Sequence, residues 1–179
     1  MGLETVVLVM EIEETFDLQI PNPDAERMQT VREMIDYVAS RTSTVPSTGC
    51  STQRAFHAVR RALRAASSAA GRIAPDTPLA ALADRRSWPR VWARARRSAS
   101  VGSQWPRSVP WKRWPCDGPR TVGELALWVT SSLPRTPRPR DEPWTRDEIT
   151  RTVRQVLCHE MGIPIARLDD AFVQDLGLD

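Results

Sequence analysis

Leu3, Val6, Val7 and Met10 recur at i, i+3, i+4 and i+7, a spacing that predicts a first helix with those four as its apolar face and Glu4, Glu11, Glu13 and Glu14 mostly off it. That helix closes at Phe16 and leads into an apolar loop ending at Ile20-Pro21, a short polar helical turn, and another helix from Thr30 to Val38. At the far end, residues 144–162 carry a helical period, and Ala171 to Asp179 lead away from it as a loop. Between the ends, Phe56, Val59, Arg60, Leu63, Ala66 and Ala70 predict a helix from about Gln53, with Gly71 placed to stop it. Trp88, Val91, Trp92 and Ala95 predict a second helix within residues 84–100, and Thr121 opens a third. Each of these elements is a helix, so the expected class is all-α.

Three of the starts share Thr-x-x-Glu: Thr30 with Glu33, Thr121 with Glu124, and Thr145 with Glu148. In each, the threonine hydroxyl can accept from a free N–H of the first turn while the glutamate reaches back to the threonine N–H. Such a capping box is worth on the order of 1 kcal/mol for its first residue. The stretch Thr121-Val-Gly-Glu-Leu-Ala-Leu-Trp-Val129 also repeats Thr30-Val-Arg-Glu-Met-Ile-Asp-Tyr-Val38, with Thr, Val, Glu and Val identical at matched positions. Residues 39–52, rich in Ser, Thr, Pro and Gly, are expected to link, as are residues 132–143, where four prolines exclude helix. Val101 to Pro119 loses all periodicity and is expected as loop.

Composition adds a division of charge. The formal net charge of +3 hides blocks of −7 over residues 1–40, +15 over 41–140 and −5 over 141–179. Opposite blocks in one chain attract each other, and salt weakens the attraction. At 179 residues and 41% hydrophobic content the chain can bury a real core as one domain or two. No apolar run is long enough to span a bilayer and no signal-peptide pattern opens the chain, so the expected place is the cytoplasm. Cys50, Cys116 and Cys158 are odd in number and far apart, which suits a reducing compartment.

The segment from Leu3 through Phe16, Ile20-Pro21 and Thr30 to Val38 strongly resembles the acyl carrier protein family, from the start of its second helix to the end of its fourth. The stretch from Trp144 to Gly162 resembles that family's first helix, and Ala171-Phe-Val-Gln-Asp-Leu-Gly-Leu-Asp179 resembles the loop before its attachment motif. The resemblance implies a carrier-like four-helix bundle formed by the two chain ends, residues 1–38 plus 144–179, in circularly permuted order. A second, degenerate carrier-like unit over residues 53–131 would be inserted between them. Within it, Ile73-Ala-Pro-Asp-Thr-Pro-Leu79 can be laid beside the Asp170 to Leu176 loop, and Ala83-Asp84-Arg85-Arg86 would begin the second helix. The family motif is Asp-Ser-Leu, its serine bearing 4'-phosphopantetheine. Asp179 and Leu3 match its outer residues, and the serine's position falls on Gly2. No cofactor is therefore expected on the chain as written; a serine supplied by an upstream start, or another site such as Ser87, would change that.

The same resemblance makes Glu4, Glu11, Glu13 and Glu14 the acidic face by which carriers dock on basic patches of acyl-metabolism enzymes. Burial of Phe172 and Leu176 against Val6, Val7 and Met10 would bring the termini together, within one chain or by head-to-tail dimerisation. From the residues alone no enzyme is expected: there is no glycine-rich phosphate loop, no Gly-x-Ser-x-Gly elbow and no catalytic carboxylate pair. Cys158, His159 and Glu160 are adjacent and diverge by about 100° per residue on a helix, so no metal is expected there. Arg85, Arg86, Arg90, Arg94, Arg96 and Arg97, with Trp105, Trp111 and Trp114 beside Lys112 and Arg113, offer phosphate and stacking contacts. With no recognisable module behind them and acidic blocks in the same chain, nucleic acid and membrane surfaces are not the expected partners. The two functions weighed are thus an acyl carrier that tethers an intermediate on a phosphopantetheine arm, and a carrier-like module that carries nothing and acts by docking, holding or regulating a partner; the absent serine favours the second, and a nucleic-acid or membrane-surface binder through the basic middle ranks below both.

Overall fold

The computed structural model describes residues 2–47, 49–67, 71–99, 102, 104–107, 118–135, 138 and 142–178. Among these the elements run α1 (Leu3–Phe16), α2 (Asn22–Arg27), α3 (Val31–Arg41), β1 (Thr44–Val45), α4 (Ser51–Ala66), a 3-10 turn (Leu79–Ala81), α5 (Trp88–Ser98), α6 (Val122–Ser131), β2 (Trp144–Thr145) and α7 (Arg146–His159). The fold is all-α apart from the two-residue strands. It divides into two compact units, Met1–Gly49 with Pro134–Asp179, and Cys50–Leu133.

In the first unit α7 packs against α3 and α1. Its stripe of Ile149, Val153, Val156 and Leu157 is fully buried with Leu8 and Ile12 of α1 and Val31, Met34, Ile35 and Val38 of α3. Here the structure corrects the expected face of α1. The residues turned inward are Thr5, Leu8, Val9, Ile12 and Phe16, whereas Leu3 is 78% and Met10 61% exposed, with Val6 and Val7 also outside. The helix is apolar on two sides, and the inner set is the one that continues the full length to Phe16 and on to Ile20. Phe172 is buried and Leu176 half-buried in the core that holds Leu8, Val9 and Ile12, not against Val6, Val7 and Met10.

The first expected linker contains structure. Residues 39–41 complete α3, and Thr44–Val45 pair in parallel with Trp144–Thr145, while Ser51 and Thr52 already belong to α4. Trp144 is therefore strand, and α7 starts only at Arg146 behind its Thr145 cap. A tightly turned loop follows α7. Leu178 N–H donates to the Phe172 carbonyl at 2.8 Å across a bend in which Gly177 has φ +70°, left-handed backbone that a side chain would strain.

In the second unit α4 packs against both α5 and α6. Val59, Ala62, Leu63 and Ala66 face the completely or nearly buried Trp88, Trp92 and Ala95 of α5 and Leu125, Ala126 and Val129 of α6. Trp105 is buried too, stacked on Trp92 with ring centres 5.6 Å apart. It is a core residue rather than a surface ring for bases or lipid. Trp111, Lys112, Arg113, Trp114 and Cys116 lie outside the described residues. Helix α4 starts at Ser51 and ends at Ala66, short of Gly71.

All three capping boxes form, with Thr30, Thr121 and Thr145 each accepting from the glutamate N–H three residues on. Two of them are gripped by a loop in the same manner. Val31 and Arg32 N–H donate to the carbonyls of Asp170 and Leu168, and Phe172 N–H donates to Gln29. In the second unit Val122 and Gly123 donate to Thr77 and Pro75, and Leu79 donates to Arg120. At Gly123 the approach is close: its N–H lies 2.7 Å from the Pro75 carbonyl, and a Cβ there would come within 2.9 Å of that oxygen.

The backbone N–H of Gln29, helped by the N–H and hydroxyl of Thr30, holds the Glu33 carboxyl below its ordinary range. At Glu148 burial opposes ionisation, yet the Thr145 N–H and hydroxyl and the Arg138 guanidinium together lower it. Both groups are more acidic folded than unfolded, so they stabilise the fold above the ordinary glutamate range and that contribution is lost as pH falls through their lowered values. Glu33→Gln and Glu148→Gln are expected to flatten the acid limb of a stability-against-pH curve measured by urea unfolding. Thr30→Ala and Thr121→Ala are each expected to cost about 1 kcal/mol in the same measurement at neutral pH. Deleting residues 144–179 removes the buried face of α7, and far-UV circular dichroism should then show loss of α1 and α3 as well, as helicity per remaining residue below that of the intact chain.

Candidate functional site

The residues singled out by sequence converge on α1 of the first unit. Gly2 is the N-cap of that helix, in extended backbone at φ −79° and ψ 176°. Its carbonyl accepts from Val6 N–H at 3.2 Å, and it offers no side-chain cap. Three residues on, the buried Thr5 hydroxyl donates to the Leu178 carbonyl at 3.3 Å. This bond, between residues 173 positions apart, sets the end of the α7 loop beside the start of α1. Thr5 points inward, so its hydroxyl is a tie between segments. Asp179 lies outside the described residues. Gly2 has no side chain and so brings no hydroxyl to this N-cap.

The face beside Gly2 is open. Leu3, Val6, Val7 and Met10 form an exposed apolar strip, with Glu4 on its flank and exposed Glu14 a turn beyond Met10. Glu11 is half-buried along the same side. Glu13 behaves differently. Its carboxylate accepts from Ile20 N–H at 2.6 Å, and its carbonyl accepts from Asp17 and Leu18, where Asp17 takes the left-handed conformation that ends the helix. Glu13 therefore holds the loop to Ile20, while Glu4, Glu11 and Glu14 belong to the outer face. The signal available in the sequence was the inner set Leu8, Ile12, Phe16, which leaves Glu4, Glu11 and Glu14 around the strip.

One feature of this unit escaped sequence reasoning. A cleft of about 780 Å³ opens between the end of α1, Trp144 and α7. Arg138 lies over the Trp144 ring at 4.5 Å and pairs with Glu148 at 3.0 Å. Arg135 donates to the Thr15 hydroxyl at 2.9 Å and pairs with Glu160 at 3.0 Å. Glu148 and Glu160 are thus each held in an ion pair. Among the described residues no three His, Cys, Asp or Glu side chains gather to hold a metal ion, and no helix is long and apolar enough to cross a membrane.

In the second unit Ser87 is the N-cap of α5. Its hydroxyl donates to the Asp84 carboxylate at 2.8 Å, and the Ser87 and Arg86 N–H groups donate to the same oxygen. These bonds, the Ser87 N–H and hydroxyl foremost, lower the Asp84 carboxyl from its ordinary value.

Compared with known proteins, the chain is 51% identical over 40 residues to the acyl carrier proteins of Chlorobium phaeobacteroides, Chlorobium phaeovibrioides and Chlorobium luteolum. The match covers 22% of this chain and 51% of each of those proteins. The chain therefore carries an acyl-carrier-like segment and spans about half the length of the curated relatives it matches. No family model matches the sequence, and no solved structure matches it.

Glu13→Ala leaves the Ile20 N–H without its acceptor and is expected to cost about 1 to 2 kcal/mol in urea unfolding. Glu4→Ala and Glu14→Ala, on the outer face, are expected to stay within about 0.5 kcal/mol of the parent.

Proposed function

We propose that this protein is an acyl-carrier-like module of fatty-acid or polyketide type metabolism that docks on carrier-recognising enzymes through α1 and carries no acyl group at Gly2. The observation that carries this reading is the match at 51% identity to acyl carrier proteins, taken with a glycine at the N-cap of α1. The bond from Thr5 to Leu178 supports a permuted carrier in which the residues after α7 lead into α1. The paired grips on the Thr30 and Thr121 capping boxes support a duplicated carrier-like unit between the ends. An exposed apolar strip flanked by Glu4, Glu11 and Glu14 suits docking on a basic, partly apolar patch: steering by charge sets the encounter and the strip supplies burial. The module would act by holding or blocking such an enzyme rather than by catalysis.

A second reading has its own observation. Ser87 places a hydroxyl at the N-cap of α5, so attachment in the second unit would restore carriage, even though Ser87-Trp88-Pro89 departs from Asp-Ser-Leu.

Incubation with coenzyme A and a phosphopantetheinyl transferase is expected to leave the intact mass of the protein unchanged. A gain of one phosphopantetheine would overturn the non-carrier reading, and peptide mapping to Ser87 would establish the second. In a chain permuted back so that Asp179 precedes a Gly2→Ser substitution, Asp-Ser-Leu is regenerated. Modification of that variant, once circular dichroism shows it folded, is the result expected if the α1 face is still recognised; a folded but inert variant counts against docking through α1.

A further inference from the structure

The second unit presents a row of cations on one side of α5. Arg90, Arg94 and Arg97 lie at i, i+4 and i+7 on the outer side of α5, opposite the buried Trp88, Trp92 and Ala95. All three are exposed and make no ion pair or hydrogen bond among the described residues. Arg96, on another side of the same helix, differs: its Nε donates to the Trp105 carbonyl at 3.1 Å. The row borders a groove of about 870 Å³ whose floor includes Ala66, Leu82, Ala83 and half-buried Val91. The groove thus combines apolar lining with a positive rim.

The α1 face has the complementary chemistry. Its strip of Leu3, Val6, Val7 and Met10 is uncovered, and Glu4 and Glu11 run along one side of it. Glu4 and Glu11 are seven residues apart, as are Arg90 and Arg97, so at 1.5 Å per residue both rows set their charges about 10.5 Å apart. One helix laid along the other can therefore pair both glutamates at once. We propose that the α5 groove of one molecule receives α1 of a second copy of this chain, Glu4 and Glu11 against Arg97 and Arg90, with the apolar strip on Leu82 and Val91. The pairing uses the same α1 face as enzyme docking but does not depend on that reading. It would make self-association a competitor of docking, so the free face would be greatest in dilute protein and at high salt.

One helix in one groove falls at the small end of protein interfaces, under about 1,200 Å², which corresponds to weak association at roughly 10 to 100 μM. Sedimentation velocity of the full chain over that range is expected to show concentration-dependent species larger than the monomer, weakened about tenfold or more between ~50 mM and ~500 mM salt. The Arg90→Glu/Arg97→Glu variant and the Glu4→Arg/Glu11→Arg variant should each sediment as monomers, and a one-to-one mixture of the two should associate again, because each supplies the partner surface the other lacks. A Glu4→Gln/Glu11→Gln variant, which adds no repulsion, should lose most of the association while keeping the far-UV spectrum. A monomer at every concentration, association unaffected by the substitutions, or failure of the mixture to restore it would overturn the proposal. So would binding of the arginine row to anionic lipid vesicles or to nucleic acid in place of self-association. These readouts are separate from phosphopantetheine mass gain, so either reading can fail alone.

Discussion

The first unit depends on burial that joins residues more than a hundred positions apart. Ile149, Val153, Val156 and Leu157 of α7 are completely covered, and what covers them is α1 and α3. Each such aliphatic side chain is worth roughly 1.5 to 3 kcal/mol when fully removed from water. Neither α1 nor α3 could retain its helical form in isolation at 14 and 11 residues, since helices of that length are marginal without a packed face. Polar ties then fix the register: the Thr5 to Leu178 bond, the Arg32 to Asp169 ion pair at 2.8 Å, and the buried Arg154 Nε donating to the Ala166 carbonyl at 3.0 Å.

Local chemistry made the helix starts legible. A capping box involves only four consecutive residues, so Thr30, Thr121 and Thr145 could be read without knowing what packs on them. The stripes of α4 and α5 were legible for a related reason, because their outer faces are arginine-dense and leave one apolar side. Helix α1 was not, since eight of its residues are apolar and they occupy two faces; the choice between them is made by α7 and the loop after it. Long-range contacts also decide the remaining misreadings. Thr44 and Val45 are strand only because Trp144 and Thr145 lie alongside, and Trp105 is core only because Trp92 and Arg96 hold it.

At the candidate site the glutamates of α1 looked alike in sequence, and geometry separated them. Glu13 is drawn into the turn by Ile20, a contact seven residues away that helical periodicity does not anticipate. Gly2 was singled out only through the family resemblance, by counting back from Phe16; the structure shows it as the N-cap of α1, with Thr5 three residues on turned inward and bonded to Leu178. The α5 arginines were visible as a dense run, but only the fold sorts Arg96, which holds the Trp105 segment, from Arg90, Arg94 and Arg97, which face solvent.

The short parallel pair of β1 and β2 has a consequence for how such a chain could arise. Thr44 stands beside Trp144 and Val45 beside Thr145, so the strand shortly before the chain leaves the first unit and the strand shortly after it returns lie about 4.8 Å apart. The second unit, Cys50–Leu133, is to the first a single excursion between ends held near that pair, and the entropy of closing it grows only with the logarithm of its length. A whole domain spliced at that point costs the host little more than a long loop would. The position therefore behaves as a socket, one that tolerates replacement or loss of its contents while the host keeps both halves of its core in place.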